Sequence, residues 1–386
     1  MSCNNRNYDI QNYTPLQYAE MFIDRYMKKV PSPELSFLSI AEAGGFTYPQ
    51  GIFLRGIQEV FKRDGKVEYN QYITDWIASV TDENGIPNHE EHGWLSKDSL
   101  DFRQPGDLFF DCYEETKDKK YLNGLDYLFQ DMKRFKRTTN GCFYHSLDGR
   151  HDGQVYVDGL YMAGPESVKY AVLRKDPELL DIAMKQPILM WETMRDEATG
   201  LLRHAWDESK EAGWADKETG LSGFVWGRAI GWYAAAITQM YEAAPKDHKD
   251  TPEVREIIKE LFKHVVTYQA ESGRWFQLVD KGEDKRNWID NSGTFLILYA
   301  MAKAVKNGIL DESYTENIMR GYKDVIENST LITDDTFRIL DICAGTCVGE
   351  NEEYYYYRQR VINDFHGIAG FLLMCAEIDD IRVFPH

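Results

Sequence analysis

An all-α toroid of six helical hairpins, an (α/α)6 barrel, is the fold this sequence predicts, and three observations predict it. Apolar residues recur at three-to-four spacing in segment after segment, as amphipathic helices require. Short polar turns start at Lys62, Lys117, Arg174, Pro245 and Lys306, spaced 55, 57, 71 and 61 residues apart, each between two such segments. Between them lie longer loops, 80–107, 137–165, 197–226 and 271–293, rich in Gly, Trp, His and Asp. Two helices per about 60 residues gives about six hairpins in a chain of 386 residues. Closing them into a ring buries the inner helices and gathers the long loops on one face. No Pro/Gly-rich linker divides the chain, so a single domain over 1–386 is expected. An open solenoid is disfavoured because the repeats share no consensus.

Taken in order, the first helix is expected over 16–29, where Leu16, Ala19, Phe22, Ile23 and Tyr26 share one face. The same stripe appears at Tyr69, Tyr72, Ile73, Trp76 and Ile77 within 68–79 and at Tyr121, Leu125, Leu128 and Met132 within 121–135. Helices are expected next over 166–174, 178–195 and 228–243. Over 253–270 the stripe is Val254, Ile257, Ile258, Leu261, Phe262 and Val265, and 293–306 and 313–327 follow. A last apolar segment, 364–377, opens with Asp364. Strand-like alternation is confined to short stretches such as 142–145 and 273–279.

Composition limits the function. Hydrophobic residues make up 43% and charged residues 28%, too apolar for a disordered chain. Lys plus Arg is 44 against 63 Asp plus Glu, a net charge of −19 with no basic face, so nucleic acid is not an expected partner. No apolar run approaches the ~20 residues of a membrane span. The 6 cysteines are scattered and read as buried or idle thiols. The N-terminus lacks a charged and then apolar leader, so a cytoplasmic location is expected, or a periplasmic one if an export signal has been removed.

Four constellations in the long loops carry candidate chemistry. Asp101 stands just before an apolar helix start, where it either caps that helix or serves a site. Asp158 lies among Val157, Leu160, Tyr161 and Met162, followed by Gly159 and a helix. Burying a carboxylate there is costly unless it is hydrogen-bonded, and the cost raises its pKa. A raised pKa suits a general acid near neutral pH, although a helix cap is the structural alternative. His204, Asp207 and Glu208 have the spacing of metal ligands, but Gly200 and Trp206 mark a loop, so no metal is expected. A histidine beside a tryptophan in a cleft suits a sugar hydroxyl or a carboxylate. Trp226 and Arg228 open a helix, one offering a flat face to a pyranose ring and the other a fork to a carboxylate. A core Trp with a snorkelling Arg is the plain alternative.

Weaker signals complete the set. His89 and His92 have an HxxH spacing without helical context, and no phosphate loop or GxSxG elbow occurs. Tyr354–Tyr357 with Arg358 and Arg360 either lines a sugar subsite or packs between helices.

Together these residues resemble the unsaturated rhamnogalacturonyl hydrolases, glycoside hydrolase family 105, and their kin the unsaturated glucuronyl hydrolases of family 88. The marks are Val157–Met162, His204–Ser209, Trp226 and Arg228 with Gly231 and Trp232, Ser292–Thr294 leading into Leu296–Lys303, and Gly345–Gly349. The resemblance implies an (α/α)6 barrel that removes the 4,5-unsaturated uronic acid from lyase-generated oligosaccharides of the pectin or rhamnogalacturonan type. It implies Asp158 as general acid and base and Asp101 as a second carboxylate that raises the Asp158 pKa. His204, Trp226 and Arg228 would line the sugar pocket, with Met162 and Tyr48 as walls. No metal or organic cofactor is implied, and the protein is expected as a monomer or homodimer. Two alternatives within carbohydrate chemistry stay open at this point: a glucuronyl hydrolase for glycosaminoglycan or ulvan fragments, and an inverting glycosidase on saturated glucans. A third, from another class, is a non-catalytic oligosaccharide-binding protein.

Overall fold

A computed structural model describes residues 13–34, 45–88, 98–149 and 151–382. Six helices with apolar residues on one stripe form an outer layer: α1 (Pro15–Lys29), α3 (Val67–Val80), α5 (Lys119–Phe129), α7 (Pro177–Met194), α9 (Thr251–Val265) and α11 (Tyr314–Ser329). Alternating with them, six form an inner ring: α2 (Tyr48–Asp64), α4 (Asp107–Thr116), α6 (Gly159–Arg174), α8 (Gly227–Ala243), α10 (Asn291–Lys306) and α13 (Phe365–Arg382). A five-residue helix, α12 (Glu352–Tyr356), lies in the last long loop. The toroid expected from the turn spacing is therefore present. The turns are helix ends: Gly65, Lys117 and Lys175 each take a left-handed conformation that stops α2, α4 and α6.

Inner helices α8 and α10 are largely apolar on every side because they are covered on every side. Every residue of α8 from Gly227 to Met240 is buried, as is every residue of α10 from Asn291 to Ala304. In the outer helix α9 the buried residues are the predicted stripe and Thr251 at its start. Around the ring α2 packs on α13, α13 on α10, α10 on α8, and α8 on α6. The Lys169–Asp107 ion pair ties α6 to α4.

Several expectations need correction. Inner helix α2 is not among the expected helices, although Ile52, Phe53, Ile57 and Val60 recur at helical spacing and all are fully covered. It also carries Gly51, where a Cβ would sit 2.4 Å from Gln104 Oε1 and 2.8 Å from Pro105 Cα. The segments 121–135 and 253–270 are not single helices, since α5 and α9 stop early and each is followed by a 3-10 turn, Met132–Arg134 and Val266–Tyr268. The stretches 142–145 and 273–279 make only isolated bridges such as Arg137 to Phe143 and Phe276 to Ile289. Pairing occurs instead in three short antiparallel ribbons: β1 (Gln154–Tyr156) with β2 (Ala205–Asp207), β3 (Thr330–Ile332) with β4 (Phe337–Ile339), and β5 (Ile342–Cys343) with β6 (Arg360–Val361).

Alternation with outer helices makes all the inner helices run the same way, so their two ends differ in charge. Their N-termini share one mouth, where unpaired N–H groups and helix dipoles favour negative charge. Near their C-termini Arg63, Lys303 and Lys306 meet Glu59, Glu242, Glu377 and Asp380 in an ion-pair network beside a cavity of about 520 Å3. Among the described residues, no helix is long and apolar enough to cross a membrane. The five described cysteines are free thiols.

Candidate active site

Residues singled out in the sequence stand at the starts of inner helices. Tyr48 opens α2, Asp158 immediately precedes α6, and Trp226 immediately precedes α8 with Arg228 its second residue. Backbone pairing brings the loops together. β1 pairs with β2, and the Val157 N–H donates to the His204 carbonyl at 3.1 Å. The His204 N–H donates to the Phe224 carbonyl at 2.8 Å, bringing in the loop before Trp226.

Asp158 is not a helix cap: its side chain accepts no capping hydrogen bond. Asp290 shows the contrast, accepting from the N–H groups of Ser292 and Gly293 at the start of α10. The Asp158 side chain is 18% exposed, and its Oδ1 lies 3.6 Å from Nε2 of the fully buried His204. That histidine's tautomer is set from behind. The buried Tyr355 hydroxyl accepts from the Gly349 N–H at 3.0 Å, and His204 Nδ1 at 2.8 Å is the acceptor within reach of its own proton, which is assigned there. The remaining ring proton sits on Nε2 and points at Asp158.

This arrangement reverses the expected pKa. Burial alone would raise the Asp158 carboxyl, but His204, with a smaller contribution from His145, holds it below the ordinary 3.8. Asp101 is the carboxyl pushed up, by burial and by the charge of Asp158, with His145 opposing. The two carboxyls are therefore split, Asp158 ionised more readily and Asp101 less. Asp101 is 19% exposed, and its Oδ2 lies 3.8 Å from Nε2 of His145. His145 in turn stacks on Tyr156 with ring centres 4.4 Å apart and planes 5° apart.

Two expected substrate contacts have other partners. Trp226 is 1% exposed and its indole N–H donates to Gln277 Oε1 at 3.1 Å. Its ring backs His204, at 4.6 Å between centres, and the Arg228 guanidinium, also at 4.6 Å, so it presents no open face to a sugar. Arg228 is 2% exposed and donates to the Cys343 carbonyl, to the Ala344 carbonyl at 2.9 Å and to Ser292 Oγ at 3.3 Å. Its fork therefore fastens the 343–346 loop, while its charge still reaches Tyr48 and Asp364. Met162, one helical turn beyond Asp158, is buried at 2% exposure. Tyr48 is half-buried, and its hydroxyl lies 2.7 Å from Nε2 of His366.

The metal-like spacing of His204, Asp207 and Glu208 is used otherwise. Asp207 accepts from Ser209 and Ala212, and Glu208 accepts from Thr139. Among the described residues, a trio with metal-ligand proximity is Asp181, His248 and Asp250. It lies between α7 and the α8–α9 turn, where the Lys249 ammonium, 2.8 Å away, already pairs with Asp181. His89 and His92 lie outside the described residues. Sequence patterns did not point to His145 or His366. His366 had one usable signal, an Asp-x-His step at the start of an apolar helix. In the tyrosine run, Tyr355 is fully buried against His204 whereas Tyr357 is 72% exposed.

Comparison with known proteins gives a consistent result. The sequence pattern described as Glycosyl Hydrolase Family 88 matches residues 18–381. The unsaturated rhamnogalacturonyl hydrolase YesR of Bacillus subtilis is 23% identical over 313 residues, 80% of this chain and 82% of YesR. Protein Atu3128 of Agrobacterium fabrum is 31% identical over 149 residues, 39% of this chain, and the match spans 63% of that relative's length. Among solved structures, a family 105 glycoside hydrolase from Clostridium acetobutylicum superposes with a TM-score of 0.87 at 29% identity, covering 94% of this chain and 99% of that one.

Proposed function

Because the chain belongs to Glycosyl Hydrolase Family 88, we propose that it removes the 4,5-unsaturated uronic acid from the non-reducing end of pectin- or rhamnogalacturonan-type oligosaccharides left by lyases. One observation carries this reading. A carboxylate that caps nothing, Asp158, faces a tautomer-fixed histidine and a second carboxyl of opposite pKa shift, at the mouth where the inner helices begin. A split pair of this kind provides one ionised and one protonated group at the same pH. The positive ends of the inner helices and the Arg228 charge favour an anionic sugar, despite the net charge of −19.

The residues account for a hydration. The C4=C5 bond of an unsaturated uronate is an enol ether, electron-rich at C4. In the empty site Asp158 ionises before Asp101, so a proton held by the pair stays on Asp101. Entry of the anionic sugar, and the water it displaces, raises Asp158, which takes up a proton. Asp158 gives that proton to C4, and the π pair becomes the new C4–H bond. The positive charge at C5 is shared with the ring oxygen. A water oxygen bonds to C5 while its proton returns to the Asp158 carboxylate. The resulting hemiketal opens at the C5–O bond, leaving a hemiacetal at C1 that expels the remaining saccharide. Nothing is displaced at the anomeric carbon in the chemical step, so the carboxylate-distance rule for retaining and inverting glycosidases does not apply.

Ultraviolet absorbance of the conjugated C=C–COO⁻ group tests the proposal. The wild-type protein should bleach it with lyase-generated rhamnogalacturonan disaccharides, and Asp158→Asn should abolish the bleaching. Cleavage of saturated oligosaccharides, with every unsaturated one left intact, would overturn it.

A further inference from the structure

A second chain of side chains, on the other wall of the cleft, has no part in the steps above. Asp364 and His366 stand at the start of α13 and Tyr48 at the start of α2. These two inner helices approach closely: a Cβ on Gly56 would lie 2.9 Å from Leu372 Cβ, and Phe53 stacks on Phe365 with ring centres 4.6 Å apart. That packing draws the two helix starts together. Asp364, 3% exposed, accepts from His366 Nδ1 at 2.6 Å and from the His366 backbone N–H at 2.9 Å. His366 Nε2 meets the Tyr48 hydroxyl at 2.7 Å.

Proton bookkeeping fixes the direction. Burial would raise the Asp364 carboxyl, but the His366 ring beside it and the Arg228 charge hold it below the usual range, so it is ionised and can only accept. In the neutral ring the proton therefore sits on Nδ1, Nε2 presents a lone pair, and the Tyr48 O–H donates to it. The phenol is not poised to ionise: burial, Asp101 and Asp158 all raise it well above its ordinary value, outweighing Arg228. Tyr48 is left as a neutral oxygen whose proton is committed away from the substrate and whose lone pairs are available to the cleft. Its charged neighbours there include Asp101 and Asp158.

We propose that Asp364 and His366 are positioning residues that, by taking up the Tyr48 hydroxyl proton, make Tyr48 a hydrogen-bond acceptor for the water that adds at C5. This rests on the hydration proposed above. Water would donate one proton to Tyr48 and the other to the Asp158 carboxylate, which directs an oxygen lone pair at C5. The O–C5 bond forms as the second proton passes to Asp158, and Tyr48 keeps its own proton throughout.

Methanol tests the inference, because it can add in place of water but has only one O–H to donate. In mixed water and methanol the wild type should favour water, giving mostly hydrolysis over the C5 methyl ketal. Tyr48→Phe removes the second acceptor, so the ketal share should rise severalfold and kcat should fall about tenfold, the worth of one hydrogen bond. KM should move less than kcat. His366→Leu should act alike, and the Tyr48→Phe/His366→Leu pair should be no worse than Tyr48→Phe alone. His366→Gln, whose carbonyl can still accept the phenol proton, should recover part of the water preference. An unchanged product ratio in Tyr48→Phe, or losses that add in the double variant, would overturn the inference. Nitrogen NMR of the free wild-type protein checks it without turnover: His366 should carry its proton on Nδ1 only, and a proton on Nε2, alone or beside one on Nδ1, would contradict it. A wild type that leaves unsaturated uronides untouched would count against the proposed function, whereas an active wild type with an unchanged ratio counts against Tyr48 as the water's acceptor.

Discussion

Replacing Tyr355 by Phe removes one oxygen and keeps a fully buried ring in place, yet it should change the behaviour of a carboxylate that Tyr355 does not touch. The hydroxyl accepts from the Gly349 N–H at 3.0 Å and donates to His204 Nδ1 at 2.8 Å. Both partners are buried. At about 1 kcal/mol for each bond, the folded state should lose about 2 kcal/mol. The larger consequence is electronic. Once Nδ1 has no donor, His204 can carry its proton there and turn a bare Nε2 lone pair toward Asp158. The influence holding Asp158 below 3.8 is lost, burial prevails, and the carboxyl rises. Since kcat needs Asp158 protonated in the complex, the limb where kcat falls with rising pH should move to higher pH. Initial rates from ultraviolet bleaching across the acid and neutral range read the limb, and urea unfolding reads the stability. An unmoved limb, or one moved to lower pH, would refute the tautomer reasoning.

Other outcomes follow from the same geometry. Burial raises Asp101 in the folded state, with Asp158 adding to it, so folded protein binds that proton more tightly than unfolded protein and loses stability as pH climbs above 3.8. Asp101→Asn should therefore gain melting temperature over the wild type as pH rises, and calorimetry showing no such gain would contradict it. Asp158 has the opposite sign: its advantage over Asp158→Asn is present above 3.8 and should vanish as pH falls through its lowered folded value. Arg228→Lys should cost about 2 kcal/mol in denaturant unfolding, because a point charge cannot span the Cys343 and Ala344 carbonyls. A weakened KM with unchanged stability would instead mean that Arg228 acts only on substrate. Gly293→Ala should destabilise by about 1–3 kcal/mol, since its Cβ would lie 2.7 Å from the Gly227 carbonyl carbon and 2.9 Å from the Arg228 nitrogen.

How much could be read from sequence depended on the range of the interaction. The outer helices were legible because one covered face leaves a stripe, and the inner helices α6, α8, α10 and α13 were legible as apolar helical segments; α2 and α4 were not, because α2 buries Gln50, Arg55 and Gln58 among its apolar residues and α4 is only 10 residues long. Asp158, Asp101 and His204 were recognisable as polar residues in long loops, and the fold does bring them to one cleft. The sign of the Asp158 shift was not legible. Its run of apolar neighbours announces burial, but the histidine that outweighs burial takes its tautomer from Tyr355, 151 positions away. Trp226 and Arg228 were placed correctly at a helix start, yet their occupation escaped sequence reasoning for the same reason. The carbonyl that Arg228 grips on Cys343 is 115 positions distant, and nothing in a Trp-x-Arg step reveals it.

Where a substitute nucleophile attaches is the most direct measurement of the central claim, that Asp158 hydrates the C4=C5 bond. With an unsaturated disaccharide in mixed water and methanol, carbon NMR of the wild-type products should show a methoxy group on C5 and a new C4–H beside an intact glycosidic bond, and neither the methoxy group nor the C4–H should form with Asp158→Asn. A methyl glycoside at C1 with the double bond retained would contradict it.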